Sequence, residues 1–358
     1  MRLFPALNAT APKRASTILA CLTSAGLTLS LAGCASDRPT MPTWPEPVDA
    51  TTDDLPAGSE LIRTDNAPNA SEVTEEPFGS VRPDDALPKD RVPEIKRRGR
   101  VIVGVAQSLN RLGFRDPITG KLTGFEVDIA HEITRDIFGD PNKVEFRYVE
   151  SLQREKALRN GDVDLVIRTM SATRKRQATT EFSLPYLGVS SRLLTTAGSG
   201  IETNKDLRDK TVCVTHNSTA ADTVSRLKPK QLLLTLTWAD CLMAMQTHQA
   251  DAIYSDDAIL SGLKAQDPNT VLVGDATEKE YYAVGAAPAG TPHASEGLVK
   301  QVNSTMERIR SDGTLSELYN TWMRQYLGPP APLPFSYRTQ QESEELQKIR
   351  QAAQEDAE

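Results

Sequence analysis

From Arg100 onward, short apolar runs alternate with amphipathic stretches. This alternation restricts the fold more than any other feature of the chain. Val101–Val105 reads as a strand. Glu126–Phe138 places Ile129, Ile133 and Ile137 at helical spacing, and Gly139 stops it. Val144–Val149 is strand-like, Leu152–Arg159 ends at Asn160-Gly161, and Asp164–Ile167 reads as a buried strand. The pattern then recurs. Thr211–Thr215, Leu232–Thr237 and Ala252–Tyr254 read as strands, with helices over Thr219–Leu227 and Cys241–His248 between them. Repeated βα units predict an α/β fold with mainly parallel sheets. About 240 residues is too much for one small core and predicts two α/β lobes. In such folds a ligand crevice is expected at the carboxyl ends of the strands.

The net charge of −7 does not belong to this body. Residues 35–90 carry −9 and residues 338–358 carry −3, while 91–337 carry +2. A strongly basic balance for nucleic acid is absent. Residues 35–90 hold nine prolines and almost no aromatic side chains, a composition expected to stay disordered. Fully extended, such a spacer reaches at most ~190 Å. The segment 336–358 is polar nearly all round, so it is expected to be a solvated tail.

Arg2, Lys13 and Arg14 precede the apolar run Ile18–Leu31, which is short for a membrane span and reads as a secretory signal over 1–33. It ends in Leu31-Ala32-Gly33-Cys34, which resembles a bacterial lipobox. That resemblance implies a lipid on Cys34, anchoring the protein at the outer face of the cytoplasmic membrane. Residues 34–95 then form the lipidated cysteine and its acidic, proline-rich linker.

Of the remaining cysteines, Cys21 lies in the leader. Cys213 and Cys241 form an even pair in an exported chain, which points to a disulfide, with two buried thiols as the alternative. His131, His216, His248 and His293 show no metal-ligand spacing with them. There is no phosphate-binding loop and no Ser-His-Asp constellation. No metal or other cofactor is expected.

Several motifs occur in a familiar order. Gly124-Phe125-Glu126-Val127-Asp128-Ile129-Ala130 resembles a segment of the amino-acid-binding proteins of ABC importers. Asp162–Ile167 followed by Ser171–Arg176, then Ser183-Leu184-Pro185-Tyr186, resembles the stretch that follows in that family. Asp251–Asp257 resembles its second-lobe acidic motif, and Arg310–Thr314 with Trp322 resembles its closing helices. The likeness covers about 97–328. The Cys213 and Cys241 placement is most similar to that in actinobacterial glutamate- and glutamine-binding lipoproteins.

The resemblance implies a type II periplasmic-binding-protein fold with two lobes joined by two hinge strands. Lobe 1 would be 96–194 plus 284–335, and lobe 2 would be 195–283. A monomer and no enzymatic activity are implied. The partners would be a free amino acid and a membrane permease of the importer. A membrane sensor protein is the alternative partner, and an enzyme on the same fold is a further rival.

A free amino acid brings a carboxylate and an ammonium, and burying both requires a partner for each. Arg176 matches the family's carboxylate-binding arginine, whose guanidinium can form two parallel bonds. Asp256 matches the acid that receives the ammonium, the spacing from Asp251 favouring it over Asp257. Thr169 and Ser171 match lobe 1 contacts. Ser218 and Thr219 match a lobe 2 pair at a helix N-terminus, where backbone N–H groups favour an anion. Arg154 aligns with an arginine that reads the side-chain carboxylate in aspartate- and glutamate-binding relatives. Arg168 stands where many relatives have a small residue facing the cleft. Arg111 and Phe114 are further candidates in the first βα loop. The excess of arginine favours aspartate or glutamate over their amides.

Overall fold

The computed structural model describes residues 55–64, 76–294 and 296–355. The signal segment and Cys34 lie outside the described residues. Strand β1 (Glu60–Arg63) and helices α1 (Pro88–Arg91) and α2 (Pro93–Arg98) precede β2 (Val101–Val105), whose five residues are all buried. Three short strands, β3 (Ser108–Leu109), β4 (Gly113–Arg115) and β5 (Leu122–Thr123), form a small antiparallel sheet ahead of α3 (Phe125–Phe138). Then come β6 (Val144–Tyr148), a 3-10 turn at Ser151–Gln153, α4 (Arg154–Arg159), β7 (Leu165–Val166) and the single turn α5 (Arg174–Gln177). Strand β8 (Glu181–Thr196) leaves this half of the molecule. In the other half lie β9 (Thr211–Thr215), α6 (Thr219–Arg226), β10 (Gln231–Thr235), α7 (Trp238–Gln246), β11 (Ala252–Asp256) and α8 (Asp257–Gln266). Strand β12 (Thr270–Ala286) returns. It is followed by α9 (Glu296–Ser311), α10 (Thr314–Trp322), α11 (Arg324–Leu327) and α12 (Gln340–Glu355).

The large sheet has nine strands in the order β1-β10-β9-β11-β8-β12-β7-β2-β6. Strands β10, β9 and β11 are parallel, as are β6, β2 and β7. Each trio is a βα-wound lobe, the arrangement expected of runs apolar on both faces. The two lobes are joined by β8 and β12, which pair antiparallel with each other along their length. Register shifts between Val273 and Thr277, and between Thr277 and Lys279, loosen the ladder where the strands pass between lobes. This is the two-lobed type II periplasmic-binding-protein architecture.

Four expectations are corrected. The sheet is parallel only within each lobe, because the two connecting strands run against their neighbours. Lobe 2 begins before residue 195, since Ser191–Thr195 already pair with β11. The spacer is not without structure throughout. Strand β1 pairs antiparallel with β10, Leu61 against Leu233 and Ile62 against Leu232, and Phe78, Ser80 and Val92 are buried against lobe 1. The C-terminal segment is not a solvated tail. α12 docks by Leu346, 1% exposed, and by Arg350, which donates to Glu181 Oε2 at 3.0 Å.

Cys213 and Cys241 are joined in a disulfide that ties β9 to α7, with Cα atoms 5.5 Å apart. The start of α3 depends on Gly124. Its φ is +137°, and a Cβ there would stand 2.2 Å from Leu112 O. This close approach lets Arg111 O and Leu112 O accept from the first two N–H groups of the helix, at 2.7 and 3.0 Å.

Candidate functional site

Between the lobes a cavity is lined mainly by polar residues. Lobe 1 supplies Ser151, Arg154, Thr169, Ser171 and Arg176. Lobe 2 supplies Thr215, Ser218, Thr219, Ala220, Trp238, Ser255, Asp256 and Ile259.

The lobe 1 wall hangs on a buried acid. Glu126, in the first turn of α3, is fully buried, and its Oε1 accepts from Thr169 N–H and from Tyr186 O–H, each at 2.6 Å. Burial pushes its carboxyl up, against the pull of Tyr186, the Thr169 amide, Arg168 and Arg154. The Thr169 bond pins a residue at φ 40°, a left-handed conformation uncommon for threonine. Ser171 follows, bridged to Tyr282 of β12. The chain then turns into α5, capped by Thr173 Oγ1, which accepts from Arg176 N–H at 3.2 Å.

Arg176 is buried and donates to Ser171 O at 3.1 Å and across the cleft to Asn217 O at 2.9 Å. Arg154, 2% exposed, donates to four backbone carbonyls: Ser151, Arg168, Thr169 and, in the other lobe, Asn217. Asn217 reaches between them because it sits at φ 55°. Burial drives the Arg154 guanidinium down, and the neighbouring Arg176 and Arg168 charges push the same way. A counter-anion in this cavity would relieve that.

On lobe 2, Ser218 caps α6. Its Oγ accepts from Ala221 N–H at 3.2 Å and donates to Thr215 O at 2.7 Å. Thr219 Oγ1 donates to Glu280 Oε2 at 2.9 Å. The first turn of this helix therefore faces the cavity, where its dipole favours negative charge. Asp256 ends β11 and is buried. Its Oδ2 accepts from Tyr282 O–H, while Oδ1 has no partner among the described residues. Burial, with Glu280 nearby, pushes the Asp256 carboxyl up to about 8.

Of the residues singled out from sequence, Arg154, Thr169, Ser171, Arg176, Ser218, Thr219 and Asp256 come together here. Three do not. Arg168 is buried behind the wall and donates to Ser151 Oγ, with the Glu126 carboxylate as a countercharge. Its strand end presents the backbone to the cleft and sends the side chain the other way. Arg111 sits at φ 74°, because its carbonyl caps α3, and its guanidinium lies over the Tyr326 ring at 3.5 Å. Phe114 is held in the small antiparallel sheet opposite Ser108 and Thr123, away from the lining.

Sequence reasoning missed Ser151, Trp238, Asn217 and Glu126. Ser151 lies three residues before Arg154, one helical turn away on the same face. Trp238 follows Thr237, whose capping box with Asp240 marks a helix start in the sequence.

The model of bacterial extracellular solute-binding proteins, family 3, matches residues 101–325. A glutamine-binding protein of Geobacillus stearothermophilus is 35% identical over 219 residues, covering 61% of this chain and 84% of that protein. A glutamate-binding protein of Corynebacterium efficiens is 30% identical over 229 residues, covering 60% and 76%. Among solved structures, a solute receptor for L-cysteine of Neisseria gonorrhoeae superposes with a TM-score of 0.61 at 27% identity, covering 66% of this chain and 95% of the other. No helix among the described residues is long and apolar enough to cross a membrane.

Proposed function

We propose that this chain, which belongs to the bacterial extracellular solute-binding proteins of family 3, binds a free acidic amino acid between its lobes and presents it to the permease of an ABC importer. The observation that carries this reading is one buried cavity holding two guanidiniums and one carboxylate with an unpartnered oxygen. Arg176 takes the α-carboxylate and Asp256 takes the ammonium. Thr169, Ser171, Ser218 and Thr219 surround the head group. Arg154 and Ser151 are left for the side chain. Arg168 donates to Ser151 Oγ, so the Ser151 proton is free to go to a ligand oxygen. Two cations against one acid leave one positive charge, which a side-chain carboxylate balances.

Closure follows from the division of the shell. The ligand favours the closed state only because both lobes touch it there. Calorimetry with glutamate, aspartate, glutamine and asparagine tests the assignment. We expect the acids to bind at least tenfold tighter than the amides, since a site built around particular hydrogen-bond polarities rejects the wrong partner strongly. Tighter binding of the amides would overturn the acidic preference while leaving the amino-acid site standing.

The Asp256 carboxyl gives a second test. A carboxyl raised to about 8 holds its proton below that pH, and an ammonium requires it ionised. Binding therefore expels a proton. Affinity is expected to rise with pH from about 5 to about 8, by up to about tenfold per unit, and then level off. Calorimetry in buffers of different ionisation enthalpy reads the released proton directly. Affinity flat across that range would contradict this role for Asp256.

The lipid on Cys34 and a monomeric state belong to the same proposal. A second reading, in which the closed form reports ligand occupancy to a membrane sensor, is favoured by ordered terminal segments on both sides of 101–325. Crosslinking in cells separates the two: a permease supports import, and a membrane signalling protein supports sensing.

A further inference from the structure

The turn that carries Arg176 is too short to hold itself. α5 has four residues, far fewer than a helix needs to persist in water. Beyond its Thr173 cap and the Thr179–Glu155 bond, it is gripped from chain outside residues 101–325. On one side, Phe78 N–H donates to Gln177 Oε1 and Gln177 Nε2 donates back to Phe78 O, both at 2.9 Å. The Arg174 guanidinium lies 3.2 Å over the Phe78 ring and donates to Glu76 O. On the other side, Arg350 of α12 donates to Gln177 O at 3.0 Å and to Thr180 O at 3.4 Å. It also binds Glu181, the first residue of β8, which Arg338 holds through both carboxylate oxygens. The two extensions are joined to each other. Ser80 and Tyr337 form a parallel bridge, and Arg338 N–H donates to Ser80 O at 2.9 Å. Phe78, Gln177 and Arg350 are all at least nine-tenths buried.

We propose that the N-terminal segment 76–82 and the C-terminal segment 336–355 form one clamp that positions Arg176 for its ligand. The inference rests on the role given to Arg176 above. Ordering a four-residue turn costs conformational entropy, and without the clamp ligand binding would have to supply it. With the clamp in place the guanidinium is already aimed when the ligand arrives. Phe78 and Arg350 are thus positioning residues that act through α5.

The test uses the full chain carrying Arg350→Met or Phe78→Ala. The Arg350→Met change keeps the apolar stem, and Glu181 keeps Arg338, so no buried charge is stranded. Amide hydrogen exchange over residues 174–180 is expected to rise in both variants without ligand. Glutamate affinity is expected to weaken about tenfold, with the cost in the dissociation rate. Arg350→Lys, which restores a charged donor, should recover part of both effects. Unchanged exchange at 174–180, or raised exchange with wild-type affinity, would overturn the proposal. Should Arg350→Met fail to fold, Phe78→Ala carries the test. If the wild-type protein binds no amino acid, the ligand reading fails separately, and exchange at 174–180 still decides whether the termini hold the turn.

Discussion

Arg176→Ala is expected to lower the affinity for an acidic amino acid by about a hundred- to a thousandfold and to leave the fold intact. The guanidinium is buried beside Ser171 and reaches Asn217 in the other lobe. Truncating one member of a buried, hydrogen-bonded charge pair costs 2–5 kcal/mol or more, because the other charge is left without a partner. At about 1.4 kcal/mol per tenfold, that is roughly 1.5 to 3.5 orders of magnitude, and the expected loss lies in the middle of that range. The fold should survive, since the carbonyls that Arg176 serves can turn to water in an enlarged cavity. Arg176→Lys should fall between, keeping the charge and losing the two-pronged geometry. Titration calorimetry with circular dichroism as a folding check measures this. Wild-type affinity in the alanine variant would remove Arg176 from the site.

The second large effect concerns the bond between Cys213 and Cys241. Both residues are fully buried, and the bond ties the middle of a lobe 2 strand to the helix that begins with Trp238. Closing a loop of 28 residues' separation is worth about 3–4 kcal/mol in the chain-entropy account. The double variant Cys213→Ala, Cys241→Ala should lose most of that and melt several degrees lower. Because Trp238 lines the cavity, a looser α7 should also weaken ligand binding. Thermal melts of the two proteins, with and without glutamate, provide the measurement. Coincident melts would show that packing alone holds β9 against α7.

The βα units of both lobes were legible because their strands are continuous apolar runs and their helices keep a clear apolar stripe. The connecting strands were not. Pro185 and Gly188 interrupt β8, and either residue reads in sequence as a break, yet the strand continues past both. The terminal segments were invisible for a different reason. Much of their docking falls on scattered residues such as Phe78, Leu346 and Arg350, and a buried arginine counts as polar in any periodicity. Within the site, most of the residues that line the cavity were legible from motif order. Arg168, Arg111 and Phe114 were misplaced because strand ends and loops do not reveal which way a side chain turns. A backbone carbonyl, such as that of Asn217, leaves no trace in residue type at all.

The ends of the nine-stranded sheet carry a consequence of their own. An unpaired strand edge is a template for another chain. On the lobe 1 side, β6 meets solvent with Glu145 and Arg147 paired to each other and Arg100 paired to Glu145, a charged border that resists strand addition. On the lobe 2 side the last parallel strand is Gln231–Thr235, whose centre is Leu232-Leu233-Leu234. That sequence would make an adhesive edge. β1 covers it, with Glu60 and Arg63 exposed at its ends. Four residues of the acidic linker thus act as a selvedge, replacing the leucine run as the sheet's border with a short strand whose ends are charged.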